Sequence, residues 1–217
     1  NFFHVITICA VIDYAKISAE LKASGEVDLA TRRKLAVKAF AHTRDYDTAI
    51  HAFLSQDQVP SLLSTDLPQH LSIGMQRVES LRYGENPHQT AAYYSRSGKS
   101  GPLGGTVLGG KQLSYNNILD LDAAWRAVSS FSEPAVVIVK HLNPCGIATG
   151  STIEEAFPNA LASDPVSAFG GVIAVNRIVD VDFLNVLGSL FVEAIAAPAF
   201  SPSAQTEFAT KRKNCRL

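Results

Sequence analysis

Lys140 and His141 follow directly on Ala135–Val139, a run of five apolar residues, and an amine beside an imidazole is a pair able to move a proton. A neighbouring cation works against a second positive charge on the ring. It therefore favours the neutral imidazole that accepts a proton, while the ammonium supports negative charge that builds during a reaction. The placement matters as much as the residue types: in open α/β sheets, ligands bind at the carboxyl ends of strands, where this pair is expected to sit. As a bare dipeptide it is also open to a structural reading, with His141 a packed side chain. Asn143-Pro144-Cys145-Gly146 reads as a tight loop after the pair, and Cys145 as a small buried residue rather than a nucleophile.

A second candidate is Arg82-Tyr83-Gly84-Glu85-Asn86-Pro87-His88-Gln89, eight turn-prone, polar or aromatic residues with neither helical nor strand periodicity. Such a segment suits a binding loop. Arg82 offers a planar fork for a phosphate or carboxylate, and Tyr83 a stacking face and a hydroxyl. A surface turn with Arg82 in a solvated ion pair is the competing reading. Gly105-Thr-Val-Leu-Gly-Gly110-Lys111 follows the GxxxxGK part of a phosphate-binding loop, but Gln112 stands where Ser or Thr would hold magnesium. A short strand over 106–108 between two glycine pairs is the expectation there. The six histidines, at 4, 42, 51, 70, 88 and 141, lack metal-ligand spacing, and the paired cysteines of a zinc deaminase are absent, so no metal is expected.

The elements that must position these residues read as α/β. Val5–Ile12 is almost wholly apolar and suits a strand buried on both faces; Tyr14, Ile17 and Leu21 then follow at helical spacing up to Gly25. Asp28 is placed to cap a second helix, with Leu35, Ala39, Phe40, Thr43, Ile50 and Phe53 on one side and Arg32, Arg33, Lys34, Lys38, Arg44 and Asp47 on the other. From Gln56 to about Gly74 the periodicity dissolves, which marks a connection and puts a domain boundary near residue 72. Beyond it the pattern predicts a helix around Asp120–Ser130 and a central parallel strand at Ala135–Val139. Ser151 and Glu154 predict a capping box for a helix towards Ser163, which Pro158 should kink or shorten. A strand at Val172–Val175, a helix around Val181–Phe191 and a third apolar run at Ala194–Ala197 complete the alternation, which argues parallel strands.

Composition narrows the function. With 217 residues and 47% hydrophobic side chains the chain can build a core. Nineteen basic against twenty acidic residues give a formal charge of -1, which speaks against nucleic acid or an anionic membrane as partner. The short Lys211-Arg212-Lys213 run reads as a solvated face or frayed end. No apolar run is long enough to cross a bilayer, since Glu193 and Pro198 interrupt the stretch from Val186 to Phe200. Three widely spaced cysteines point to a reducing compartment, the cytoplasm.

Four segments resemble one known family. They are Leu81–Gln89, Gly110–Trp125, Val137–Gly146 and Asp164–Gly171, and in this order and spacing they are similar to the bifunctional purine-biosynthesis proteins. That family joins phosphoribosylaminoimidazolecarboxamide (AICAR) formyltransferase to IMP cyclohydrolase. Thr31–Thr43 resembles the last long helix of its cyclohydrolase domain, so the resemblance extends over essentially the whole chain.

The resemblance implies that residues 1–72 are the C-terminal part of a methylglyoxal-synthase-like cyclohydrolase domain plus linker. Residues 73–217 would be the N-terminal part of a cytidine-deaminase-like formyltransferase domain without zinc. It also implies AICAR and 10-formyltetrahydrofolate as substrates and a homodimer sharing its formyltransferase sites. By match to the family motifs, His141 is the proton acceptor and Lys140 its transition-state stabiliser, while Arg82, Tyr83, Gly170 and Glu193 hold the nucleotide. The chain, which opens at Asn1 without Met, is expected to be an internal fragment inactive by itself; an inert or degenerate copy keeping only dimer or nucleotide contacts is the alternative. Three departures stand out. Ala10-Val11 replace Asp-Pro, Pro158 enters a helix, and Ala199 replaces a Gly whose positive φ Ala would adopt only at a cost of about 1 kcal/mol.

Overall fold

A computed structural model describes residues 1–55, 71–96 and 101–217 of the chain. They form two compact units, Asn1–Gly74 and Met75–Leu217. Most of the predicted connection, residues 56–70, lies outside the described residues.

In the first unit, helix α1 (Tyr14–Ser24) ends where the cap Gly25 takes a left-handed backbone at φ 77°. Helix α2 (Leu29–Leu54) starts at Asp28, whose carboxylate accepts the Thr31 N–H at 2.7 Å, the cap expected from sequence. That cap also holds the Asp28 carboxyl down at about 2, chiefly through the bond from the Thr31 backbone. Ile17, Val27 and Leu35 make a small core, with Ile8 packed against it. The strand predicted at 5–12 does not form. The segment is irregular apart from a 3₁₀ turn at Val11–Asp13, and Val11 and Ile12 are 77% and 84% exposed. A strand buried on both faces needs neighbours, and the described residues of this unit contain no other strand for it to pair with. Most of the predicted apolar face of α2, including Phe40 and Phe53, is likewise exposed.

The second unit opens with a hairpin, β1 (Gln76–Ser80) antiparallel to β2 (Ala92–Ser95), whose loop contains Arg82 and Tyr83. Helix α3 (Tyr115–Val128) begins earlier than predicted because Ser114 and Asn117 form a reciprocal capping box, side chain to backbone in both directions. The segment 106–108 is not a strand. It runs irregularly, and Leu108 N–H donates to the carbonyl of Leu217 at 2.8 Å.

The main sheet has the order β4-β3-β5-β6 and comprises β3 (Ala135–Lys140), β4 (Asn143–Thr149), β5 (Gly171–Val175) and β6 (Val192–Ala196). Strand β3 is interior, as expected, but antiparallel to both neighbours; β5 and β6 are the parallel pair. The reason is local. Residues 143–146, expected as a tight loop, are the first part of β4, and only His141 and Leu142 separate that strand from β3, a connection too short for anything but an antiparallel hairpin. The apolar runs of β3 and β5 are continuous because both faces are covered. Val136, Ile138, Ile173 and Val175 enter one core, while Ala135, Val137, Val139, Val172 and Ala174 enter the other, against α3.

The first core is closed by α4 (Ile153–Ser163), α6 (Val181–Val186) and α7 (Pro202–Lys211), where the rings of Phe157 and Phe183 meet edge-on at 5.7 Å. The cap of α4 is Thr152, accepting from Glu155 N–H, one residue beyond the expected Ser151; the helix continues past Pro158 to Ser163. A short helix, α5 (Pro165–Ala168), follows. The predicted helix 181–191 stops at Val186, and a turn then leads into β6. Arg212 is not part of a frayed end: its guanidinium donates to the Leu190 carbonyl at 2.6 Å and to that of Gly188.

Candidate functional site

Lys140 ends β3, and His141 and Leu142 form the two-residue turn into β4, with φ of 52° and 69°. Two successive positive φ values define the turn that matches hairpin twist, usually built from Asn-Gly. His and Leu adopt it at a cost of about 1–2 kcal/mol each, so other contacts must hold them there. Leu142 N–H donates to Asp120 Oδ1 of α3 at 2.7 Å, and Asn143 Nδ2 donates to the His141 carbonyl at 2.9 Å. The imidazole is thereby presented at the exposed rim of the sheet.

Lys140 points to the start of β5. Its ammonium donates to the carbonyls of Phe169 at 3.0 Å and Gly170 at 2.9 Å. An ammonium has three N–H groups, so one remains outside these two bonds. Gly170 has φ 68°, and a Cβ there would stand 3.1 Å from Lys140 Nζ and 3.5 Å from the Phe191 ring. Phe169 and Phe191 lie beside this point with centroids 5.5 Å apart, both substantially exposed.

The loop of Arg82 and Tyr83 is fastened at the start of α3. Arg82 N–H donates to the Leu113 carbonyl at 2.9 Å, Tyr115 N–H to the Tyr83 carbonyl at 3.0 Å, and Asn116 Nδ2 to the Glu85 carbonyl at 3.1 Å. Within the loop Gly84 N–H bonds the Gln89 carbonyl at 2.9 Å, and the Arg82 guanidinium lies 5.3 Å from the Tyr83 ring centroid. Both side chains are open to a ligand, Arg82 exposed and Tyr83 half-buried.

Glu193, on β6, stands apart from this group in its bonding. Its carboxylate pairs with the buried guanidinium of Arg216, which also donates to the Gln112 carbonyl at 3.1 and 3.2 Å. The pair uses Oε2 of Glu193. Gly105–Lys111 does not make a phosphate-binding loop, since α3 begins only at Tyr115 and Gly109 and Leu108 are bonded to Leu217.

The model of the AICARFT/IMPCHase bienzyme family matches residues 1–217. The chain belongs to this family. The bifunctional purine biosynthesis protein PurH of Sorangium cellulosum is 44% identical over 227 aligned residues, which cover 100% of this chain and 43% of the relative. PurH of Halalkalibacterium halodurans is 44% identical over 224 residues, 100% of this chain and 42% of the relative. For PurH of Lysinibacillus sphaericus the values are 47% over 219 residues, 100% and 41%. The chain thus spans about two fifths of the length of these curated relatives.

Of the residues singled out by family resemblance, Lys140 and Gly170 are in direct contact, and His141 follows Lys140 in the chain. Arg82 and Tyr83 share with the His141 turn a common support in α3. Sequence reasoning missed that support: Asn116 and Asp120 lie within the family-like segment Gly110–Trp125 but receive no role there, although their spacing of four places them on one helix face. Of the family departures, Ala199 carries no strain. The described non-glycine residues with positive φ are Leu103, His141 and Leu142, and the Ala199 carbonyl accepts from Val179 at 3.0 Å. Among the described residues no group of three or more His, Cys, Asp or Glu is placed to hold a metal ion, and no helix is long and apolar enough to cross a membrane.

Proposed function

We propose that this chain supplies part of a cytoplasmic enzyme of purine biosynthesis that formylates AICAR from 10-formyltetrahydrofolate and closes the product to IMP. In this reading residues 1–72 are the C-terminal part of a methylglyoxal-synthase-like cyclohydrolase domain with its linker. Residues 73–217 begin a cytidine-deaminase-like formyltransferase domain that works without zinc, and the complete protein is a homodimer. The observation that carries it is family membership along all 217 residues, with Lys140-His141 at the open end of a sheet strand.

The 5-amino group of AICAR is a poor nucleophile because its lone pair is conjugated through the imidazole into the carboxamide. His141 accepts one amine proton as nitrogen attacks the formyl carbon. The new N–C bond forms, the bond from that carbon to N10 of the folate breaks, and N10 takes the electron pair and a proton. The free N–H of Lys140 supports the negative charge that builds on the formyl oxygen. Arg82 pairs with the nucleotide phosphate and Tyr83 stacks on or bonds the base. Gly170 lets the nucleotide approach the backbone, and Glu193 offers the carboxylate oxygen that Arg216 does not hold.

The test replaces the matching segment of Sorangium cellulosum PurH by this chain and follows formyl transfer to AICAR. The chimera is expected to turn over, and His141→Ala in it to lower kcat by ~10²–10⁴-fold with little change in KM. Near wild-type turnover of His141→Ala removes it from the mechanism. An inactive chimera beside an active parent supports the degenerate-copy alternative. The 217-residue chain alone is expected to form no IMP.

A further inference from the structure

The two residues of the His141 turn are exposed, so packing does not dictate their left-handed backbone. The peptide unit between them is instead held at both ends. Its carbonyl, from His141, accepts from Asn143 Nδ2 at 2.9 Å; its N–H, from Leu142, donates to Asp120 Oδ1 at 2.7 Å. A flip of this peptide would convert the turn into one with a different pair of φ values and re-aim the imidazole. A peptide fixed at both ends does not flip freely.

Asn143 belongs to the hairpin itself, whereas Asp120 reaches in from α3. Asn116, four residues before Asp120, holds the Arg82–Tyr83 loop through the Glu85 carbonyl at 3.1 Å. Side chains four apart lie one turn apart on the same helix face, about 5–6 Å from each other. One face of α3 therefore suspends both the nucleotide-holding loop and the turn that carries the base.

We propose that Asp120 is a positioning residue whose carboxylate fixes the His141–Leu142 peptide and so aims His141 at a substrate held by Arg82 and Tyr83. This rests on the formyl-transfer reading above. Asp120→Asn keeps an oxygen at the same place, and Asp120→Ala removes it, so the pair separates the hydrogen bond from other effects of substitution.

Two measurements test it. By NMR of the 217-residue chain, Asp120→Ala should raise amide exchange at Leu142 at least tenfold, leave the β3–β5 ladder protected, and be reversed in Asp120→Asn. In the chimera, Asp120→Ala should lower kcat at least tenfold with KM for AICAR within about threefold, and Asp120→Asn should restore most of the rate. Unchanged Leu142 exchange in Asp120→Ala overturns the proposal. So does faster Leu142 exchange with unaltered kcat, or protection lost equally across α3 and the sheet, which is the mark of a merely structural residue. Failure of the formyl-transfer reading shows elsewhere, as full turnover in His141→Ala, and leaves the exchange result to stand by itself.

Discussion

The ammonium of Lys140 donates to the carbonyl oxygen of Gly170 at 2.9 Å, across the gap between the end of β3 and the start of β5. Because these strands are antiparallel, the last residue of one is brought beside the first residues of the other, and a residue 30 positions away becomes the seat of the lysine.

Gly170 is therefore sensitive for two reasons. Its φ of 68° disfavours any residue with a Cβ, and that Cβ would press on Lys140 Nζ at 3.1 Å. Gly170→Ala is expected to lower stability by about 1 kcal/mol or more and to displace the ammonium from its two carbonyls. Urea unfolding checks the first effect and lysine-detected NMR the second. An unaltered Nζ environment together with unaltered stability would falsify this account of the glycine.

Much of this was legible beforehand, and the failures have one physical theme. Helices α1 and α2 could be read because their punctuation is local: Gly25 stops one and Asp28 caps the other. The buried strands β3 and β5 could be read because two-sided burial leaves an unbroken apolar run. Strand direction could not, because it depends on whether 141–142 is a two-residue turn, and His-Leu carries none of the usual signals for one. The strand expected at 5–12 failed for want of a partner, which composition does not reveal. Among the candidate residues, Arg82 stands out in a dense polar segment and Lys140 by its place at a strand end, while Asp120, though inside the family-like segment Gly110–Trp125, bonds a backbone N–H 22 residues away, a pairing that sequence spacing does not reveal.

The three thiols should separate chemically. Cys9 is exposed, and the half-buried Cys145 thiol is raised chiefly by desolvation. Buried Cys215 is pushed up to about 12 from 9.0, again chiefly by desolvation. At pH 8 iodoacetamide should label Cys9 first, Cys145 slowly and Cys215 only on unfolding. A raised thiol value favours the folded state fully below the unfolded value near 9 and loses that contribution as pH rises towards 12. Thermal midpoints measured across that range should fall, and less steeply in Cys215→Ala. Rapid labelling of Cys215 in the native chain contradicts its burial.

Asp180 ties two helix starts together. Its Oδ1 accepts from Val181 N–H at 2.7 Å, Ser201 Oγ at 2.7 Å and Ser203 Oγ at 3.0 Å, joining the caps of α6 and α7. The Ser201 hydroxyl, then the Val181 N–H, hold its carboxyl below the ordinary 3.8. A lowered carboxylate value contributes stability above the unfolded value and loses it as pH falls through the folded one. Asp180→Ala should thus melt lower than wild type at pH 7, with the gap closing in the acid range below 3.8. A gap that stays constant with pH would show that the ionised carboxylate is not what joins the helices.

The ion pair of Arg216 and Glu193 sets a last expectation. The Arg216 side chain is 4% exposed and that of Glu193 34%, so the cation is buried while its partner is partly screened by solvent. Removing the negative charge leaves a buried guanidinium facing only carbonyls, those of Gln112 and of residue 193 itself. For a fully buried pair the loss is ~3–5 kcal/mol; screening of Glu193 and the two remaining carbonyls reduce it here to on the order of 1–2 kcal/mol for Glu193→Gln. The same variant keeps a polar Oε1 for a ligand, so in the chimera KM for AICAR should rise only modestly. Denaturant titration and steady-state kinetics on one preparation separate the ion pair from the nucleotide contact proposed for this carboxylate. If stability is untouched while KM rises steeply, Glu193 serves the nucleotide directly and the Arg216 charge is sufficiently stabilised by hydrogen bonds to the surrounding carbonyls.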